Sequence, residues 1–368
     1  NAAAMSINAD KTASIIGSEV NAGVLDLNAA DILIGAGTNE QSSRFEQESK
    51  NGGFSVSTSG AGSWNANVGF NEADSQSQAT QYVNSQLNVG HLASNSESLT
   101  VKGGLITANS AEIETGALHI ESLQDTYSSS NSSMGANLGI AGAGNERKPA
   151  SGSAGFNMAE GSSEGARTNQ QSAIFIADGE SSQVTAKDTT LVGGMIANAS
   201  YEEAAETGEL ALVDHGNLNF STDTLTVEDL RDYSRSSQSG GGIQTNFGQG
   251  IYDGTDEQLD RRGSRHLKGE EYATGSTTVS LHNEGNRMEG QTLATLGGGN
   301  VRVGGVALDE QEEFSGLNRD VDAAQIITLE QQTGALNASM SMDHRMFSEV
   351  GRQVIKDQHV DFKNNVKG

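Results

Sequence analysis

The chain has 368 residues, a net charge of −26 and no cysteine. That charge repels nucleic acid and anionic surfaces, which excludes nucleic-acid binding, and the missing thiols exclude disulfide scaffolds, thiolate zinc sites and cysteine nucleophiles. Only 34% of the residues are hydrophobic and 5% aromatic, while glycine occurs 46 times and proline once, at Pro149. This is little apolar material for one compact core, and it points to many tight turns.

Strand pieces open the chain around Ile7, Ile15-Ile16, Val24–Leu27 and Ile32–Ile34. A polar arm follows from Thr38 to Lys50, then an alternating small-residue segment from Phe54 to Phe70 that holds the only tryptophan, Trp64. Thr80–Gly90 returns to strand character and leads into Leu99–Asp125, where Leu99, Val101, Leu118 and Ile120 alternate with Thr, Lys, His and Glu. That period of two marks half-buried strands. Leu123–Tyr127 enters a serine-rich arm, Ser133–Gly142 alternates small and larger residues, and Asn145–Arg167 is a polar Gly/Ser tract. Thr168–Gly179 is similar to Thr80–Gly90. Leu230–Tyr233 enters a third arm that runs through Gly240–Gly248. From Thr277 to Val306 the apolar positions close up and read as the last regular coils. After Asp309, Ala323–Glu330 and Met346–Asp357 read as helices, with Gly334 as the break between them and Phe347, Val350 and Val354 on one face.

These segments repeat. Lys102-Gly103-Gly104-Leu105-Ile106 followed by Leu118–Glu121 returns as Val192-Gly193-Gly194-Met195-Ile196 followed by Leu225–Glu228. A weaker upstream copy is Ile16–Val20 followed by Val24–Leu27. The glycine steps are 103 − 17 = 86 and 193 − 103 = 90 residues. No single piece can bury its apolar side alone, but stacked coils bury a continuous ladder. The expected fold is all-β: a parallel β-solenoid, most simply a right-handed β-helix, with projecting β-hairpin arms and a small α-helical C-terminal module. The other architecture compatible with evenly spaced strands is an antiparallel sandwich. The repeat region is expected over residues 1–308, in units of about 1–98, 99–189 and 190–308, and a helical cap or linker over 309–368. Ile106 and Ile196 are expected to point inward and stack, the C-terminal helices to cap the last coil, and the arms to pair with one another.

The pieces LTVKGGLI, LHIESLQDTYSSSNSSMGANLGIAGAGN and TNQQSAIFIADG resemble the haemagglutinin-type repeats of filamentous haemagglutinin-like exoproteins, and more specifically the later repeat region of contact-dependent growth-inhibition effectors. Gly316–Asp320, Ala324–Ile326, Thr333–Leu336 and Arg345–Arg352 resemble the segment that follows those repeats and precedes the toxin. The resemblance implies a rod exported through a two-partner secretion transporter to a Gram-negative cell surface. It also implies a repeat region that helps move a C-terminal toxin across the target cell's outer membrane, with that membrane or a surface component on it as partner. The alternative is an adhesive or biofilm rod of the same type. The sequence opens at Asn1 without a leader pattern and reads as a piece of a larger protein.

No residue set points to an enzyme, a cofactor or a metal, and no catalytic, cofactor-binding or metal-ligating residue is assigned. Asp343-His344-Arg345 has acid–base character but no partner identifiable by spacing. Asp253–Glu257 and Asp260 lack a Ca²⁺-loop pattern and read as a solvated acidic turn. Arg261-Arg262, Arg265-His266 and Lys268 lie among Asp260, Glu270 and Glu271 and read as a salt-bridged loop. A polysaccharide-lyase reading fails on charge, since the chain would repel a polyanionic substrate. Asn131, Asn198, Asn219 and Asn337 match glycosylation sequons, as an Asn/Ser-rich chain does by chance.

Overall fold

A computed structural model describes residues 2–60, 62–144, 150–203, 210–256, 259–260 and 263–367. The chain winds into a column of stacked parallel coils. β1 (Ala2–Asn8) and β2 (Thr12–Ile16) form the first coil and β3 (Glu19–Gly35) the second. An arm then leaves the column as β4 (Gly37–Ser57) and returns as β5 (Ser63–Val83). Coils three and four are β6 (Ser85–Lys102) and β7 (Gly104–Glu121), followed by the second arm, β8 (Asp125–Ala143) and β9 (Ser151–Arg167). The fifth coil is β10 (Ala173–Ile176) with β11 (Gln183–Val192). The sixth is β12 (Met195–Ala197) and, after a small antiparallel pair β13 (Ala199–Glu203) and β14 (Leu210–Asp214), β15 (Leu218–Glu228). The third arm is β16 (Leu230–Ile251) and β17 (Glu271–Thr292). The last coil is β18 (Thr295–Leu296) with β19 (Gly299–Val303), against which β20 (Val306–Ala307) folds back; β21 (Gln325–Asp343) and α1 (Glu349–Lys367) complete the chain.

The repeat is therefore two coils and one arm. Gly17, Gly103 and Gly193 carry the chain from the first coil of each pair to the second, all with positive φ (55°, 69° and 53°). Each donates its amide to the far end of the next coil, at the carbonyls of Gly35, Glu121 and Glu228. A side chain disfavours that left-handed geometry, which explains the recurrent glycine. Inside the column, equivalent apolar residues stack as ladders. One runs Val20–Leu87–Ile106–Ile174–Ile196–Leu296. Another runs Ile34–Val101–Ile120–Leu191 and ends at Val227, which is exposed. Ile106 and Ile196 are fully buried two coils apart, as their sequence equivalence requires.

Four expectations change. The upstream equivalent of Leu118–Glu121 is Ile32–Gly35 and not Val24–Leu27, because Ile32 pairs through Leu99 with Leu118. Thr277–Thr292 belongs to the third arm and not to the last coils: its apolar positions alternate with period two in a strand paired to β16. Ala323–Glu330 is not helical. Ala324 accepts the Leu293 amide, and from Gln325 the chain pairs along the open edge of β17, with Gly334 inside the strand rather than at a helix break. A waiting row of unpaired backbone groups outweighs the local helix preference of two alanines. Finally, α1 does not cap the column. Leu308, Phe314 and Leu317, set by two 3-10 turns, already cover its end. Val350 and Val354 of α1 pack instead on Tyr252, Leu259, Leu267 and Tyr272 at the tip of the third arm.

The arms lie side by side as one antiparallel sheet in the order β21-β17-β16-β9-β8-β5-β4. Equivalent aspartates tie them at the root. Asp125 Oδ1 accepts the Tyr82 amide at 2.7 Å, fixing the second arm to the first. Asp232 is buried and accepts the Thr168 amide at 2.8 Å, Gln124 Nε2 at 2.7 Å and Thr292 Oγ1 at 2.6 Å. Asp232→Ala is expected to cost about 1–3 kcal/mol, since the buried Thr168 amide would lose its acceptor. The loss should read as faster proteolysis at the base of the second and third arms, and an unchanged cleavage pattern would refute the tie.

Candidate functional site

The side sheet is the candidate functional surface. In an antiparallel sheet, directly opposed residues share a face and successive residues alternate between faces. One face carries a band of large apolar side chains toward the tips. Its central row is Lys50–Phe70–Ala136–Phe156–Ile243–Val279–Met340. The row nearer the tip is Gly52–Val68–Leu138–Ala154–Thr245–Thr277–Met342, and the row nearer the column is Glu48–Glu72–Met134–Met158–Gly241–Leu281–Ala338. Phe54, Ile140 and Phe247 extend the band outward, and Trp64 lies across Gly142. Much of the band is exposed: Phe54 is 71% exposed, Leu138 47% and Ile243 52%. On β8 the band runs from Met134 to Gly142, nine residues, about 26 Å at ~3.3 Å per residue, whereas on the edge strand β4 its inner rows hold the paired Glu48 and Lys50.

The opposite face is polar and, in its middle rows, free of Asp, Glu, Lys and Arg. One row reads Asn51–Gly69–Asn137–Gly155–Gln244–Thr278–Ser341 and the next Ser49–Asn71–Gly135–Asn157–Gly242–Ser280–Ser339. Asparagine and glycine alternate across the strands as well as along them. The carboxamides lie flat over the facing glycines; a side chain at Gly135 would meet Asn71 Oδ1 at 2.6 Å and Asn157 Oδ1 at 2.8 Å. Charge is concentrated below the apolar band, toward the column. There Arg231 pairs with Glu289 at 2.8 Å, and Arg235 reaches the same carboxylate at 3.5 Å. Hydrogen bonding from Arg287, then from Arg231, holds the Glu289 carboxyl below its usual range.

The residues considered for chemistry lie apart. Asp343 and Arg345 grip each other at 2.7 Å at the tip end of β21, and the Arg345 bond lowers the Asp343 pKa. His344 Nε2 is 2.8 Å from Thr277 Oγ1. The tip loop is salt-bridged as its charges suggested: Arg265 meets Asp260 at 2.7 Å and Lys268 meets Asp256 at 3.3 Å. Glu257, Arg261 and Arg262 lie outside the described residues. Asn198 is buried and donates to the carbonyls of Ile176 and Ala177, and Asn219 and Asn300 form a rung on the column. Among the described residues no group of three or more His, Asp or Glu gathers to hold a metal, and no helix is long and apolar enough to cross a membrane.

Sequence reading found only part of this surface. Ser133–Gly142 and Gly240–Gly248 are legible as arm segments, but Phe156 and Met158 fall in the polar tract, Val279 and Leu281 in the expected last coils, and Met340 and Met342 in the expected cap or linker. Their signal was the period of two in Gly155–Ala159 and Val279–Leu281, diluted by serine and glycine. A family model described as the hemagglutinin repeat matches residues 2–136 and 126–199. Comparison with curated proteins and with solved structures gave no match. The matched span takes in the first two arms and the coils that carry them, more than half of the chain, and the chain belongs to the hemagglutinin repeat family.

Proposed function

We propose that this chain is a non-enzymatic rod segment of a contact-dependent growth-inhibition exoprotein, and that its side sheet engages the outer membrane of a contacted cell while a C-terminal toxin passes. The coarser reading is plain from the family: a filamentous haemagglutinin-type rod, of a secreted or cell-surface bacterial protein, in a family associated with two-partner secretion. The observation that carries the finer reading is the two-faced side sheet. Strands that cross a bilayer need about 9–11 residues each, apolar on the lipid side and polar on the other. The arms have an apolar band that spans nine residues on β8, Met134 to Gly142, and asparagine, glycine and serine on the other face. An adhesive or biofilm rod is the second reading. The residues matched by the family, 2–199, would serve it as well, but it needs no such band.

Leu138→Arg combined with Ile140→Arg, made in the full-length effector, tests the proposal. The column is untouched, so folding and surface display should persist. An arginine on the lipid side costs about 2–4 kcal/mol near the midplane, so toxin delivery into target cells should fall more than tenfold. Undiminished delivery, with the variant confirmed at the cell surface, would leave the arms as spacers. A variable C-terminal domain followed by a small immunity gene at the same locus would separate delivery from adhesion.

A further inference from the structure

The side sheet has seven strands, and both of its edge strands run outward. β4 and β21 each pair antiparallel with a strand returning to the column, β5 and β17. Three hairpins account for six strands. β21 is an outgoing strand of 19 residues whose outer edge has no strand partner among the described residues. A strand added there in antiparallel order must run from tip to column.

The chain holds such a segment at the right place. β21 ends at Asp343, a 3-10 turn covers His344–Phe347, and after Ser348 the 19 residues of α1 follow, a match in length to β21. α1 is a poorly specified helix. It contains no alanine or leucine, places Gly351 in its first turn, and includes the β-branched residues Val350, Val354, Ile355, Val360 and Val366. These rank low as helix formers and high as strand formers. Most of its large apolar residues, Val350, Val354, Val360, Phe362 and Val366, also fall on even positions, interspersed with Arg352, Lys356, Gln358 and Asn364, while Ile355 is odd. It is held to the tip of the third arm by Val350 and Val354, by Asp357 accepting from Tyr252 Oη at 2.6 Å, by Gln358 accepting from Arg345 at 2.8 Å and by Glu349 at 3.8 Å from His266.

We propose that the outer edge of β21 is a docking surface for residues 349–367 of this same chain, which form the return strand of a fourth arm and are stored as α1. With a five-residue turn over 344–348, Val350 falls opposite Met342 and Val354 opposite Ala338, on the apolar face. The sheet then has eight strands, one edge running outward and one inward. This is the even, antiparallel arrangement that lets a sheet close on itself. The inference rests on strand order and sequence period and does not depend on the membrane reading.

The absence of cysteine makes the test direct. In the helical state Val354 and Tyr272 pack against the same cluster of Tyr252, Leu259 and Leu267 at the arm tip, while Ala338 faces Leu281, nine residues from Tyr272 along β17, a span of about 30 Å at ~3.3 Å per residue. A disulfide needs Cα atoms within about 7 Å. The full chain carrying Ala338→Cys and Val354→Cys is oxidised gently in buffer and with vesicles of phosphatidylethanolamine and phosphatidylglycerol. The control carries Ala338→Cys and Ile355→Cys, one residue out of register and on the other face. The 338–354 bond is expected to accumulate in at least one medium and the 338–355 bond in neither. No 338–354 bond in either medium, or equal yields from both pairs, would overturn the proposal. Vesicle flotation of the same samples reads membrane engagement separately. Crosslinking without flotation supports the fourth arm and counts against the membrane role, and flotation without crosslinking does the reverse.

Discussion

Ile106→Asp is expected to abolish cooperative folding of the middle of the column. Ile106 is fully buried between Leu87 and Ile174, so the substitution removes a close-packed side chain, at about 2–5 kcal/mol, and places a carboxylate where nothing can pair with it, at several kcal/mol more. The sum approaches the whole stability of a typical domain, about 5–15 kcal/mol. In a stacked array the damage spreads through neighbours. Coils three to five should lose protection first, and the second arm, rooted on coil four, should be lost with them. Circular dichroism, a melting curve and limited proteolysis measure this. A charge placed on the exposed Gln86 of the neighbouring coil should shift stability by no more than about 0.5 kcal/mol. An unchanged melting temperature for Ile106→Asp would mean that the inward ladder is assigned to the wrong residues.

The column was legible in the sequence because its signals agree at every level. Period-two aliphatics, left-handed glycines and a recurring step of nearly constant length all name the same coil. Leu118–Glu121 and Leu225–Glu228 were recognisable as equivalents for that reason, whereas the first unit slipped, because Val24–Leu27 and Ile32–Ile34 are both aliphatic runs after one glycine. The arms were legible only as arms. Their strands satisfy one another's backbones without a buried core, so no strong apolar period marks them, and a strand such as Ser151–Arg167 reads as a polar tract. What sets their register is relational: Asn51 faces Gly69, Gly69 faces Asn137, and Asn137 faces Gly155. A pairing of large with absent side chains across partners some 18 to 70 residues apart leaves no local trace. The end of the chain failed for a different reason. Ala323–Glu330 prefers a helix locally, but its fate was decided by the unpaired edge of β17, which cannot be seen before the sheet exists.

Gly103→Ala and Gly305→Ala should separate the two demands that the glycine turns make. Both residues have positive φ, 69° and 80°, so a side chain at either costs about 1–2 kcal/mol for the left-handed conformation. They differ in space. Around Gly305 nothing lies within 4 Å of an added Cβ. At Gly103 the added atom would sit 2.5 Å from Ala36 Cβ and 2.8 Å from Leu123 Cδ1, and such overpacking costs about 1–3 kcal/mol more. Ala36 lies at the root of the first arm and Leu123 at the root of the second, so Gly103 sets how closely the two arms stand as well as the turn between coils. Gly305→Ala should lower the unfolding free energy modestly and leave the side sheet intact. Gly103→Ala should lower it by roughly twice as much or more and expose the pairing of β5 with β8 to amide hydrogen exchange. Equal losses at the two positions, with β5 and β8 still protected, would show that the turn at Gly103 serves the column alone and that the arms find their spacing without it.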